Sequence, residues 1–262
     1  MEGTLEEQMR RIAESGYNAV EMPVPMEYSA ADLKILLQEF HLDLIAMIFT
    51  GGAGHIESFR LQIERARLCD PLQITAHSGK DFWTFDEQKA FFTQALEIER
   101  RTGLEINHET HRGRAMCNPW NTAALLNEFT ELHIVADFSH FVCVCESLLI
   151  EPSLARSLEI CISRSRHIHG RVGFEEGPQV NDPRAPEWSA HVKAHEIWWK
   201  AIAHARFESK ATRLTFNPEF GPPNYMQALP HSRMPVADLW EVCLYMGSRF
   251  RNTYAALFPA SS

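Results

Sequence analysis

Hydrophobic and polar positions along this chain switch repeatedly between a spacing typical of helices and one typical of strands. Leu5, Met9 and Ile12 recur at helical spacing behind Thr4, and Glu7 completes a capping box with that threonine. Short apolar runs follow such segments and are typical of buried strands. The pattern predicts seven strands, at residues 17–24, 42–50, 72–77, 104–111, 133–141, 166–173 and 212–221. After the first helix, further helices are predicted at residues 29–40, 55–69, 85–101, 119–132, 153–163, 187–208 and 236–257.

Regular alternation of strands and helices predicts a parallel α/β sheet. A (β/α)8 TIM barrel has the right size for 262 residues, but it requires eight strands. Because the chain opens with a helix, we expect a barrel whose first strand is missing, shortened or encoded upstream. A doubly wound sheet is the alternative, although Gly51-Gly52-Ala53-Gly54 does not match GxGxxG. No linker or composition shift divides the chain, which predicts one domain over residues 1–262.

Composition and charge narrow the range of partners. Lys and Arg total 25 against 34 Asp and Glu, a formal net charge of -9. Nucleic acid is therefore not expected as a partner, because phosphate neutralisation supplies most non-specific affinity. No leader or apolar run long enough to span a membrane is present, and the six cysteines are scattered. These features predict a cytoplasmic protein that does not engage a membrane.

Carboxylates and histidines cluster at the ends of the later predicted strands. In parallel α/β folds, chemistry is carried by residues at the carboxyl ends of strands. Four predicted strands end on such residues, namely Glu109 and His111, Asp137 and His140, His167, His169 and Arg171, and finally Glu219. The sequence thus predicts a polar site where these strands end.

Three carboxylates and one imidazole in this set are suited to a divalent metal ion. Buried carboxylates are costly unless they are paired or bound to metal. Glu109, Asp137, His169 and Glu219 offer oxygen-rich ligands that Mn²⁺, Mg²⁺, Co²⁺ or Zn²⁺ accepts. The alternative for each residue is an exposed loop position or a salt-bridge network. Four such residues at strand ends favour one metal ion.

Five segments carry a resemblance to a known family. They are Gly-Tyr-Asn-Ala-Val-Glu at 16–21, Ile-Asn-His-Glu-Thr-His at 106–111, Ala-Asp-Phe-Ser-His at 136–140, His-Ile-His-Gly-Arg-Val-Gly at 167–173 and Asn-Pro-Glu-Phe-Gly at 217–221. In order and content the sequence resembles the xylose isomerase-like TIM-barrel superfamily of sugar phosphate isomerases and epimerases. The resemblance is specific to the superfamily and not to a substrate.

The resemblance implies a role for each matching residue. Glu109, Asp137, His169 and Glu219 correspond to the ligands of one divalent metal, and the two glutamates to an acid–base pair acting through an enediolate-like intermediate. A metal stabilises that developing charge, while facing carboxylates move the proton. His140 and Arg171 correspond to residues that contact substrate.

Three further residues are candidates for substrate binding. His77 ends a predicted strand, with a hydrogen-bonded structural histidine as the alternative, and His111 follows Glu109 on the same predicted strand face. Arg114 adds positive charge that would favour an anionic substrate, with a solvated loop arginine as the alternative. The proline-rich segment 171–187 is expected to be a lid.

The sequence therefore predicts a metal-dependent isomerase or epimerase of a small carbohydrate-like hydroxy-carbonyl compound, acting as a homo-oligomer. A dehydratase of a cyclic polyol or keto sugar uses the same parts and stays open. A degenerate, non-catalytic barrel is a second alternative. A multi-zinc endonuclease of the same superfamily is a third, disfavoured by the charge and by a ligand set for one metal.

Overall fold

A computed structural model describes residues 3–257, and the chain divides into two compact units. The first unit ends at Glu109 and the second begins at Thr110. Helices and parallel strands alternate in both units, which confirms the predicted α/β order. The seven strands found among residues 3–257 match the predicted number. Residues 1–2 and 258–262 of the predicted domain lie outside the described residues.

The first unit holds a four-stranded parallel sheet in the order β1-β2-β3-β4. Its elements are α1 (Leu5–Glu14), β1 (Ala19–Pro23), α2 (Ala30–Glu39), β2 (Asp43–Phe49), α3 (His55–Arg67), β3 (Gln73–His77), α4 (Phe85–Thr102) and β4 (Ile106–Glu109). Each strand pairs with the next one along the chain, the simplest arrangement for successive βα units.

The second unit holds three parallel strands in the order β5-β6-β7. Its elements are α5 (Pro119–Glu128), β5 (Ile134–Ala136), α6 (Phe138–Cys145), α7 (Ala155–Arg164), β6 (Ser165–His169), α8 (Ser189–Glu208), β7 (Thr215–Asn217) and α9 (Leu239–Tyr254). Three short 3-10 segments lie at Pro152–Leu154, Pro186–Trp188 and Ala255–Leu257.

The helix boundaries follow local chemistry that the sequence displays. Thr84 caps α4 by accepting a hydrogen bond from the Glu87 backbone N–H. The Glu87 carboxylate in turn accepts a hydrogen bond from the Thr84 backbone N–H. The helix ends at Gly103, whose φ of 68° is the left-handed conformation that glycine adopts without strain. Phe91 and Phe92 on one side of α4 are buried. Capping and apolar periodicity therefore place this helix against its sheet.

His108 shows how β4 presents alternate faces. Its buried ring packs against Phe59 of α3 and Phe92 of α4, with ring centroids 6.0 and 5.1 Å away. Nδ1 lies 2.6 Å from Ser78 Oγ, and Nε2 lies 3.0 Å from Glu99 Oε1. The His108 side chain therefore faces the helices, and the neighbouring Glu109 has the opposite orientation along the strand.

Strands β4, β5, β6 and β7 are shorter than predicted, which corrects the local setting of four candidates. The predicted strand at 133–141 ends at Ala136, and His140 lies inside α6. Arg171 and Glu219 each lie two residues beyond the end of β6 and β7. His111 likewise follows β4 instead of sharing a strand face with Glu109. Cys143 and Cys145 also lie in α6.

Among residues 3–257, no helix is long and apolar enough to cross a membrane.

Candidate active site

Asp137 is fixed at the junction between β5 and α6. It is fully buried and caps α6, accepting a hydrogen bond at Oδ1 from the Ser139 backbone at 3.1 Å and another from the Ser139 hydroxyl. Thr110 Oγ1 donates to the Asp137 carbonyl and accepts from the Asp137 backbone N–H, both at 2.9 Å. Backbone and side chain of this aspartate are thus held from two directions.

His169 and Glu219 approach Asp137 from the ends of β6 and β7. His169 is buried, and its Nδ1 lies 2.6 Å from Oε2 of Glu219, whose side chain is 28% exposed. One ligand atom from each of Asp137, His169 and Glu219 lies within 4.8 Å of the others. Two carboxylates and an imidazole at this spacing fit a hard or borderline divalent cation, so the residues present suit a metal ion.

Arg171 bridges the two carboxylates. Its Nε donates to Asp137 Oδ2 at 3.1 Å, and Nη2 donates to Glu219 Oε1. Burial by itself lowers the pKa of Arg171, but the carboxylates of Glu219 and Asp137 outweigh it and raise the pKa. The guanidinium therefore stays charged beside both carboxylates. With two carboxylates and one guanidinium, this group retains a net negative charge that favours an added cation.

Aromatic and histidine rings border this group. His140 is buried in α6, with Nε2 3.7 Å from Asp137 Oδ2. The rings of His111 and His140 have centroids 3.9 Å apart, and His111 Nε2 lies 3.3 Å from the Tyr225 hydroxyl. The Tyr225 ring also lies against the Arg171 guanidinium, at 4.4 Å. The second unit thus gathers His111, His140 and Arg171 around Asp137.

Arg114 belongs to the same turn as His111. Its backbone N–H donates to the His111 carbonyl at 3.1 Å, and the residue is half-buried. Arg112, which precedes it, is exposed and lies 5.4 Å from the centre of the Tyr225 ring. Positive charge therefore follows β4 closely in the chain, as the sequence indicated.

In the first unit, His77 and Glu109 form a close pair at the ends of β3 and β4. His77 Nε2 lies 2.5 Å from Glu109 Oε2, and both side chains are almost fully buried. Thr50 holds the His77 backbone, since its N–H and its hydroxyl donate to the His77 carbonyl at 3.0 and 3.1 Å. The predicted substrate-binding His77 is therefore a partner of the predicted acid–base residue Glu109.

Sequence reasoning missed several residues that support these candidates. Ser139 could have been found, because Asp137 is a residue type that caps helices by accepting a hydrogen bond from the backbone N–H two or three residues on. Thr110, Gln179 and Tyr225 carry no local signal, since their contacts with Asp137, Gly221 and His111 join residues that are distant in the sequence. Within the segment predicted as a lid, residues 172–180 form a hairpin that the sequence did not indicate. Most of these residues are buried.

Comparison with known proteins identifies the fold. No family model matches the chain, and no curated protein matches it in sequence. Among solved structures, a xylose isomerase-like TIM-barrel protein from Mycobacterium smegmatis, in complex with magnesium, has a TM-score of 0.65 at 10% identity, covering 97% of this chain and 89% of its own. The probable 3-DHS dehydratase AsbF from Bacillus anthracis has a TM-score of 0.61 at 12% identity, covering 96% and 95%.

A third similar structure is 3-keto-D-glucoside 4-epimerase from E. coli, with a TM-score of 0.58 at 13% identity and coverage of 96% of this chain and 95% of its own. The neighbours thus include epimerases and a dehydratase that share one architecture. Similarity over nearly the whole length confirms the predicted barrel class over the doubly wound alternative. The chain has a TIM-barrel fold, similar to that of a xylose isomerase-like TIM-barrel protein.

Proposed function

We propose that this chain is a divalent-metal-dependent isomerase or epimerase of a small hydroxy-carbonyl compound related to sugars. The observation that carries the proposal is the convergence of Asp137, His169 and Glu219, whose ligand atoms lie within 4.8 Å of one another at the ends of successive strands. In a TIM barrel the carboxyl ends of the strands are where catalytic residues occur. These are also the residues that the resemblance to the superfamily assigns to a metal.

Glu109 is proposed as the fourth ligand and as half of an acid–base pair with Glu219. Its next neighbour in the chain, Thr110, is bonded twice to the backbone of Asp137. Consecutive Cα atoms are only about 3.8 Å apart, so the chain itself supports placing Glu109 with this set. Within β4, Glu109 is the acidic residue, and it directly precedes Thr110 in the chain.

The chemistry needs both a proton carrier and stabilisation of charge. A carboxylate by itself is too weak a base to remove a proton beside a carbonyl efficiently, and a bound divalent ion supplies the stabilisation of negative charge on the substrate oxygens. Arg171 and His169 hold the Glu219 carboxylate in place, as the orientation of a proton carrier requires. His77 holds Glu109 in the same manner.

Metal analysis of the purified protein tests this proposal directly. We expect about one Mn²⁺, Mg²⁺, Co²⁺ or Zn²⁺ per chain in the wild type, and at least a tenfold weaker affinity in Glu219→Gln and Glu109→Gln. Glu187→Gln, at an exposed position remote in sequence from the ligands, is the matched control. Circular dichroism must show that all variants fold. Absence of metal after incubation with Mn²⁺, or full retention in Glu219→Gln, would contradict the proposal.

A dehydratase is the second candidate, supported by the structural similarity to a probable dehydratase. The two reactions differ in their products, since epimerisation conserves the substrate's atoms and dehydration releases water. Incubating the metal-loaded protein in D2O with ketoses, ketose phosphates and inososes separates them by NMR. Deuterium at a carbon of an otherwise intact sugar indicates an isomerase or epimerase, whereas a new unsaturated product indicates a dehydratase.

A further inference from the structure

Gln179 is a buried polar residue with three hydrogen-bond contacts around the candidate site. It is 2% exposed and lies on the returning side of the hairpin at residues 172–180. This hairpin is closed by a hydrogen bond from the Val180 N–H to the Val172 carbonyl at 2.9 Å and by bonds between Phe174 and Gly177. A buried amide in such a segment is stabilised only when its polar atoms are bonded.

The side-chain amide of Gln179 pairs with the peptide of Gly221 in both directions. Its Oε1 accepts from the Gly221 N–H at 2.7 Å, and its Nε2 donates to the Gly221 carbonyl at 3.0 Å. Gly221 is two residues beyond Glu219, on the irregular segment that follows β7. The pairing therefore fixes the backbone that carries the Glu219 carboxylate, across a separation of 42 residues in the chain.

Gln179 Oε1 also accepts a hydrogen bond from the Arg171 guanidinium, which bridges the two carboxylates. Arg171 Nη1 donates to Gln179 Oε1 at 3.2 Å, while Nε and Nη2 are directed to Asp137 and Glu219. One side chain thus orients both ends of the Arg171–Glu219 ion pair, the arginine directly and the glutamate through Gly221.

We infer that Gln179 is a positioning residue that sets the orientation of Glu219 and Arg171 for metal and substrate. This inference rests on the proposed function, in which Glu219 is a metal ligand. Outer residues that orient metal ligands typically influence metal affinity by about 10- to 100-fold. An amide meets the demand here, because Gly221 presents a donor and an acceptor and the amide offers the complementary acceptor and donor.

The test is titration of Mn²⁺ into the full-length chain by calorimetry, comparing the wild type with Gln179→Leu and Gln179→Glu. We expect Gln179→Leu to weaken Mn²⁺ binding about tenfold, because all three hydrogen bonds are lost. Gln179→Glu keeps an oxygen for Arg171 and for the Gly221 N–H, but loses the donor to the Gly221 carbonyl. Its affinity should lie between those of the wild type and the leucine variant.

Gln88→Leu is the matched control, because Gln88 is a buried glutamine of α4 whose Nε2 donates to the Trp83 carbonyl. Urea denaturation of each variant separates a loss of stability from a loss of affinity. Gln179→Leu within twofold of the wild type, or a loss of the same size in Gln88→Leu, would overturn the inference and leave the metal proposal intact. If the wild type itself binds no Mn²⁺, the proposed function fails, and this inference fails with it.

Discussion

His195 in α8 makes the stability of the protein depend on pH in a predictable direction. The ring is completely buried, and burial lowers its pKa to about 4. Nδ1 donates to the His191 carbonyl at 2.8 Å, and Nε2 accepts from the Gly173 N–H at 3.2 Å. In the neutral ring, both nitrogens therefore have a hydrogen-bond partner. A proton added to Nε2 would point at the Gly173 N–H, which is itself a donor, and that hydrogen bond would be lost. Protonation of His195 must therefore oppose folding.

The size of the effect follows from the difference in pKa between the two states. The unfolded chain takes up the proton near the ordinary value of 6.5, whereas the folded chain resists it until about 4. The stabilisation is complete above the unfolded pKa and is lost as the pH falls through this window. Proton linkage gives a loss of about 2 kcal/mol between about pH 7.5 and about pH 5, and about 3 kcal/mol by about pH 4.

Urea denaturation followed by tryptophan fluorescence measures this loss, since Trp198 packs on the His195 ring at 4.9 Å between centroids. His195→Gln retains an acceptor for the Gly173 N–H but has no proton to gain. Its free energy of unfolding should therefore fall by about 2 kcal/mol less than that of the wild type over the same pH interval. His204→Gln, at an exposed position of the same helix, should behave as the wild type does. Equal losses in the wild type and in His195→Gln would refute the reasoning.

Three further outcomes are expected. Gly173→Ala should lower the free energy of unfolding by about 1–3 kcal/mol, because its Cβ would lie 2.7 Å from the Ser139 carbonyl oxygen; an unchanged urea midpoint would contradict this packing. Thr110→Val should lower the free energy of unfolding by about 1–3 kcal/mol in the same assay, because two hydrogen bonds to the Asp137 backbone are lost. A variant as stable as the wild type would contradict a stabilising role for these bonds. Burial raises the pKa of the Cys161 thiol, so alkylation at neutral pH followed by peptide mass mapping should modify it only after unfolding; rapid labelling of the folded chain would show otherwise.

Much of the fold could be predicted because strands and helices have different periods. Strand positions and capping boxes were visible locally, and the seven strands emerged at the expected places. The prediction was wrong at the end of β5, where an apolar run was extended through Phe141. Phe138, Phe141 and Val142 recur at helical spacing after Asp137, so the change of period marked the start of α6.

The candidate site was predictable in part for a different reason. Strand-end carboxylates and histidines are few, and the ends of parallel strands converge, so Asp137, His169 and Glu219 could be grouped from order alone. Gln179 could not, because its role depends on a bond to Gly221 that no local pattern encodes. The pairing that forms the hairpin at 172–180 was not predicted, because the prolines and glycines nearby are typical of irregular loops.

The buried hairpin at 172–180 also sets where this chain tolerates enlargement. Its Gly173 backbone N–H is bonded to His195, and its Gln179 side chain is bonded to the Gly221 peptide, so added residues there would separate groups that a single register now brings together. A second hairpin lies at residues 227–236 and is closed by a hydrogen bond from the Leu229 N–H to the Met234 carbonyl at 2.8 Å. All of its residues are exposed. Exposed loop tips are where insertions succeed. An epitope or a fluorescent label belongs at the second hairpin, where it leaves the first undisturbed.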